Sequence, residues 1–142
     1  MLLPLHNPVD IAEQAALLDV MTGGRFTLGV GLGYRPEEFQ AFQVPLKQRV
    51  SRMQESIDII RRLWAEDDVT HHGRHFQFDN LSIHPKPARP GGPPILIGAQ
   101  VDVSVARAAR IAEMAGWRYP CRPPANWRPI PSCSTGRGPR RA

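Results

Sequence analysis

Residues 25–39 read RFTLGVGLGYRPEEF, with glycine at positions 29, 31 and 33. A spacing of two is the period of a β-strand, so these glycines share one face while Phe26, Leu28, Val30 and Leu32 share the other. One face is apolar and the other nearly bare. Glycine weakens a strand interior because it leaves nothing to pack, and it is kept there where a ligand or another backbone comes close. The near-continuous apolar run is that of a buried parallel strand. Phosphate-cradling loops are a poor match. The dinucleotide fingerprint needs G-x-G-x-x-G, and a Walker-type loop ends in Gly-Lys-Ser or Gly-Lys-Thr. Here the spacing is G-x-G-x-G and Tyr34-Arg35-Pro36 follows.

The segments on either side alternate between helix and strand. Asn7 is a cap, Pro8 suits the first helical position and Asp10 the first turn. The spacing of Ile11, Ala12, Ala15 and Leu18 then predicts a helix over 9–22 that stops at Gly23-Gly24. Leu2 to Leu5, before it, read as the end of a strand. Pro36-Glu37-Glu38 opens a helical turn, and Val50, Met53, Ile57, Ile60 and Trp64 draw one apolar stripe along a helix over 46–65. Val69 to Ile83 reads as a hairpin around Gly73 and Asp79-Asn80. Prolines 85, 87, 90, 93 and 94 enforce an extended connector. Ile95 to Gly98 is a second apolar strand, and Ser104 caps an Ala-rich helix over 104–115 that ends at Gly116. This order predicts an α/β fold: parallel strands, 26–31 and 95–98 among them, joined by crossover helices.

Charge divides the chain in two. Residues 1–117 hold 12 Lys and Arg against all 13 Asp and Glu, whereas residues 118–142 hold six Arg and no acid. The whole basic excess of the chain, formally +5, therefore belongs to its last residues. That segment is nearly half proline and arginine, has no period, and is expected to be disordered. The organisation predicted is thus a folded unit over 1–117 and a basic tail over 118–142. Cys121 and Cys133 both lie in the tail and give no disulfide framework for a core. No apolar run approaches the roughly 20 residues of a membrane span, and the first residues lack the basic start and apolar middle of a secretion signal. A cytoplasmic location and no membrane partner are expected. The alternative reading from another class is a non-catalytic chain whose tail binds nucleic acid, with arginines on phosphates and Tyr119 and Trp127 stacking on bases. No recognition fold accompanies those residues.

Four stretches together resemble one family. LPLHNP, AEQAALLDVMTGGRFTLGVGLGYRPEEF, R-x-x-x-x-x-E-x-x-x-x-I-R-R-L-W and PPILIGA are similar to the luciferase-like monooxygenases and their deazaflavin-dependent relatives. The similarity covers about residues 2–117 and is most specific from Ala12 to Phe39. It implies a (β/α)8 barrel that holds FMN or 5-deazaflavin (coenzyme F-420) at the carboxyl ends of its strands. It also implies an oxidoreductase or monooxygenase acting on a small organic substrate by hydride transfer or oxygen activation. Carried onto this sequence, Gly31, Gly33 and Tyr34 fall against the cofactor ring, and Glu37 on the cleft wall beside substrate. Gly98, Ala99 and Ser104 fall at a helix start suited to the cofactor's phosphate tail. Ala99 stands where relatives often have a second glycine, which weakens close backbone approach. His6 falls at a strand end facing substrate, or simply bonds backbone. Likewise the three glycines either admit a flat ring or only permit tight barrel packing.

His71, His72 and His75 invite a metal reading, but zinc sites pair Cys and His at fixed spacings with a fourth ligand, and a hairpin face explains them without metal. No metal is expected, and no Ser–His–Asp or Cys–His nucleophile pattern is visible. A (β/α)8 barrel takes about 250 residues, and this chain has 142. The expectation is therefore a truncated fragment, a partial barrel of about three parallel strands, with a tail that resembles coding sequence read out of frame. Such an arc is expected to bind cofactor weakly or not at all, to be inactive alone, and to self-associate through its open sheet edges.

Overall fold

The computed structural model describes residues 1–98 together with the short strand at 114–115. Asn7 accepts a hydrogen bond from the Val9 N–H at 3.0 Å and so caps α1 (Pro8–Met21), with Pro8 at the start and Asp10 in the first turn. The helix ends where Thr22 Oγ1 donates to the Leu18 carbonyl at 2.7 Å and Gly23 and Gly24 take φ of +61° and +75°. Strand β1 (Leu28–Gly31) follows, then a short helix α2 (Pro36–Ala41), a 3-10 turn at Leu46–Gln48 and the long helix α3 (Arg49–Ala65). The excursion is an antiparallel hairpin of β2 (Val69–His72) and β3 (Gln77–Leu81). Gly73 lies in its turn as expected, whereas Asp79 and Asn80 lie within β3. The chain then returns through the proline connector to β4 (Ile95–Gly98).

β1 and β4 are parallel neighbours, and β5 (Met114–Ala115) pairs in parallel on the far side of β4. The alternating order and the parallel sheet are those read from sequence, and the fold is a partial (β/α)8 barrel. Two expectations need correction. Leu2 makes a single parallel bridge to Gly31, but Leu3–Leu5 curl into a 3-10 turn around Pro4 instead of extending as a strand. Met114 and Ala115, expected to end a helix, form β5. Their helix preference over other residues amounts to only tenths of a kcal/mol each, and pairing with Leu96 and Ile97 overrides it. The third parallel strand is thus 114–115 and not 2–5. The other residues of the expected helix over 104–115, and the whole 118–142 tail, lie outside the described residues.

The core lies between the outer face of the sheet and the two long helices. α1 contributes Ile11, Ala12, Ala15 and Ala16, and the small side chains let α3 come close with Met53, Ile57, Ile60, Leu63 and Trp64. The buried stripe on α3 differs from the five residues expected: Val50 is only half-buried, whereas Ile59 and Leu63 are also enclosed. Trp64 Nε1 donates to the Ala12 carbonyl at 3.0 Å, which satisfies its one polar atom inside the contact.

Candidate functional site

Register fixes which residues face away from the helices. Leu28, Val30, Ile95 and Ile97 are buried under α1 and α3, while their alternates Gly29, Gly31, Leu96 and Gly98 point to the other face. Gly29 pairs with Leu96, and Gly31 pairs with Gly98. Two glycines singled out separately in the sequence therefore lie side by side at the carboxyl ends of adjacent parallel strands. This is where ligands bind in barrels of this kind.

The face forms an open concavity of about 450 Å³ lined by Met1, Leu2, Gly29, Val30, Gly31, Leu96 and Gly98. Met1 runs along the edge of β1: its ammonium donates to the Gly29 carbonyl at 2.9 Å, and the Gly31 N–H donates to the Met1 carbonyl at 2.8 Å. A Cβ built on Gly29 would meet nothing within 4 Å, one on Gly31 would lie 3.9 Å from Leu2, and one on Gly98 would lie 3.6 Å from the Val30 carbonyl. Packing among the described residues does not require glycine at any of the three. The backbone is left bare over an open surface, which suits a planar ring lying against it.

The other expected site residues are placed differently. Gly33 has φ +73°, and a Cβ there would come within 3.0 Å of the Phe39 ring, so this glycine serves a turn packed on Phe39. Tyr34 is 74% exposed, and Glu37 is exposed in the first turn of α2. The half-buried His6 ring meets the Phe42 ring edge-on at 5.7 Å. None of these four lines the concavity. Ala99 and Ser104 lie outside the described residues. Sequence reasoning passed over Gly29 and Leu96 as site residues, although the period of two already put Gly29 on the face of Gly31.

It also passed over Asp19, which is fully buried. Its Oδ2 accepts the Arg89 N–H at 2.9 Å, and the Arg89 guanidinium donates to the Gly24 carbonyl. The pair fastens the connector to the end of α1, and the Leu28 N–H then bonds the Pro94 carbonyl at 2.9 Å, which sets β4 beside β1. The three hairpin histidines take separate partners: His71 bonds Glu55, His72 bonds Asp79, and His75 bonds Ser51.

A family model described as luciferase-like monooxygenase matches residues 1–125. The chain belongs to that family. It is 35% identical over 117 residues to the protein Rv0940c of Mycobacterium tuberculosis, a match that covers 82% of this chain and 39% of that protein. It is 36% identical over 115 residues to the F420-dependent glucose-6-phosphate dehydrogenase of Nakamurella multipartita, covering 76% of this chain and 32% of that enzyme. Among solved structures it is similar to the monooxygenase RslO1 from Streptomyces bottropensis, with a TM-score of 0.69, 32% identity, and coverage of 76% of this chain and 33% of that one. The chain thus spans about a third to two fifths of the length of these relatives.

Proposed function

We propose that this chain carries part of the ring-binding face of a flavin- or deazaflavin-dependent oxidoreductase, with FMN or coenzyme F-420 lying over Gly29, Gly31 and Gly98. The observation that carries this reading is the pairing of Gly31 with Gly98 on one face with Gly29, where Cβ atoms would meet nothing or make only ordinary contacts and packing therefore does not call for glycine. Similarity to a dehydrogenase named for F420 and to a monooxygenase supports the cofactor class. When bound, the cofactor would supply the redox chemistry, either hydride transfer with a small organic substrate or activation of oxygen. The chain's part would be to support the ring on bare backbone and to present the apolar side chains of Leu2 and Leu96 to it. Gly98 leading to Ala99 and Ser104 would receive the phosphate tail, Gly33 and Tyr34 would stand at the rim beside the ring, and His6 and Glu37 would stand toward substrate.

By itself the chain would bind the ring weakly and not turn over, because cleft sites bury 70–90% or more of a ligand and three strands wall one side only. Its open sheet edges favour self-association, and its expected location is the cytoplasm; among the described residues no helix is long and apolar enough to cross a membrane. The test is a fluorescence titration of the purified chain with FMN and with the deazaflavin. No saturation below about 100 µM is expected, since losing several kcal/mol of contact moves a micromolar site by powers of ten. Saturation at low micromolar cofactor would overturn the inactive-fragment reading. Cofactor binding left unchanged when valines replace the glycines matching Gly31 and Gly98 in a full-length relative would overturn the assignment of the face.

A further inference from the structure

One carboxylate of α3 gathers most of the polar contacts to the hairpin, beside the packing of Val69, Phe76, Phe78 and Leu81 on the core. Glu55 Oε1 accepts the His75 N–H at 3.0 Å, the Phe76 N–H at 3.0 Å and the His71 ring at 3.2 Å, and Oε2 accepts the His75 N–H at 3.2 Å. The Glu55 and His71 side chains are each only 13% exposed. Gly73 makes room for this, because a Cβ there would sit 2.1 Å from Glu55 Oε1. Beside it His75 Nε2 lies 2.8 Å from Ser51 Oγ, which also bonds the Gln48 carbonyl at 3.1 Å. Arg52, one residue along α3, places its guanidinium 4.8 Å from the centre of the Phe76 ring and donates from Nε to the Pro4 carbonyl at 3.0 Å.

We propose that the β2–β3 hairpin is an acid-released clip on α3, with Glu55 as its receptor and His75 as its proton sensor. The charged groups around the clip are Arg52 on α3 and His71, Arg74 and His75 on the hairpin, while the Leu3–Leu5 turn across from Arg52 brings no titratable side chain. Burial pushes the Glu55 carboxyl up, but the N–H donors of His75 and Phe76, then the His71 ring and the His75 charge, bring it below its ordinary 4.5. Burial lowers the His75 ring below 6.5, Glu55 acts against this, and Arg52 and Arg74 add to it.

Both shifts act in one direction. The docked hairpin favours neutral His75, so as pH falls below about 6.5 the undocked form takes up the proton first and docking weakens. The contribution of Glu55 is present above 4.5 and is lost as pH falls through its lower docked value.

Amide hydrogen exchange by NMR on the full chain tests this, with rates corrected for the intrinsic effect of pH. Between pH 7.5 and 5.5, protection of amides in 69–81 should fall severalfold relative to those of α1 and α3, with about tenfold the ceiling for the single proton that His75 takes up. His75→Gln keeps a polar reach to Ser51 and should flatten that dependence, and Glu55→Gln should cost the hairpin at least tenfold protection already at pH 7.5. Protection lost in parallel by hairpin and helices, or an unchanged pH slope in His75→Gln, would overturn the proposal. So would a wild-type His75 ring that titrates at or above 6.5 or apart from the hairpin amides, a measurement that needs no variant.

Discussion

The glycine face of β1 and β4 and the seat of the hairpin on α3 both depend on glycine, for opposite reasons. At the hairpin, Gly73 yields space that Glu55 occupies, and a methyl group there would collide at 2.1 Å. At Gly29 a methyl group would meet nothing within 4 Å. The first kind of glycine is required by a neighbour in the fold. The second is not, and a strand that forgoes side chains without packing gain leaves its backbone open to something outside the fold. The comparison separates glycines that hold this chain together from glycines that point to a ligand.

The closed side of the comparison should be the fragile one. Trp64→Ala should produce the largest loss, about 3–5 kcal/mol, as for other buried aromatics cut to alanine. The ring is 4% exposed, and its N–H bonds the Ala12 carbonyl inside the α1–α3 contact. Urea unfolding followed by circular dichroism measures this, and a loss under about 1 kcal/mol would mean that α1 and α3 hold together by other means.

Gly73→Ala comes next, at about 1–3 kcal/mol, the usual cost of forcing atoms into an occupied space. The loss should be concentrated in the hairpin, with exchange in 69–81 accelerated more than in α1. Uniform destabilisation would deny that Glu55 is a local clip.

The long elements were legible because each carries its own local signal. Asn7-Pro8, the stripe from Met53 to Trp64 and the period-two run of β1 are all read within one turn or a few residues. What stayed hidden depends on partners far along the chain. Glu55 looks like any solvent-facing acid on a helix until the hairpin turn, roughly 20 residues on, brings its donors. Met114 and Ala115 carry a helical preference that only the adjacent β4 overrides. Gly31 and Gly98 were each noticed, but their contact follows from parallel order and register, which no local window contains. Tyr34 and Glu37 were assigned by the family resemblance and not by any local signal; Tyr34 is exposed after the turn at Gly33, and Glu37 is exposed in the first turn of α2.

Gly33→Ala sharpens the border between the two kinds of glycine, since Gly33 follows the glycine face in sequence but behaves like Gly73. The left-handed conformation alone costs a side chain roughly 1–2 kcal/mol, and Phe39 at 3.0 Å leaves little slack. A stability loss of about that size is expected in thermal unfolding. A neutral result would move Gly33 to the ligand-facing set.

The smallest effect on stability, and the most direct attempt to break the comparison, is Gly29→Ala. Its backbone is extended within β1, and no φ in the left-handed range obliges glycine there. A methyl group would project into open space and would also restrict the unfolded chain, a change that stabilises by about 0.4–1 kcal/mol where the native backbone tolerates it. Loss of a bare site should therefore leave folding unchanged or slightly improved. A destabilisation above about 1.5 kcal/mol in urea unfolding would mean that another part of the chain or a second copy packs on this face, and that Gly29 belongs with Gly73. If stability holds, the same variant grafted into a full-length relative such as the Nakamurella dehydrogenase should weaken cofactor binding, because the added carbon stands where the ring would lie. A glycine that costs nothing to replace in the fold, but something to replace in binding, is the outcome that the open space over Gly29 predicts.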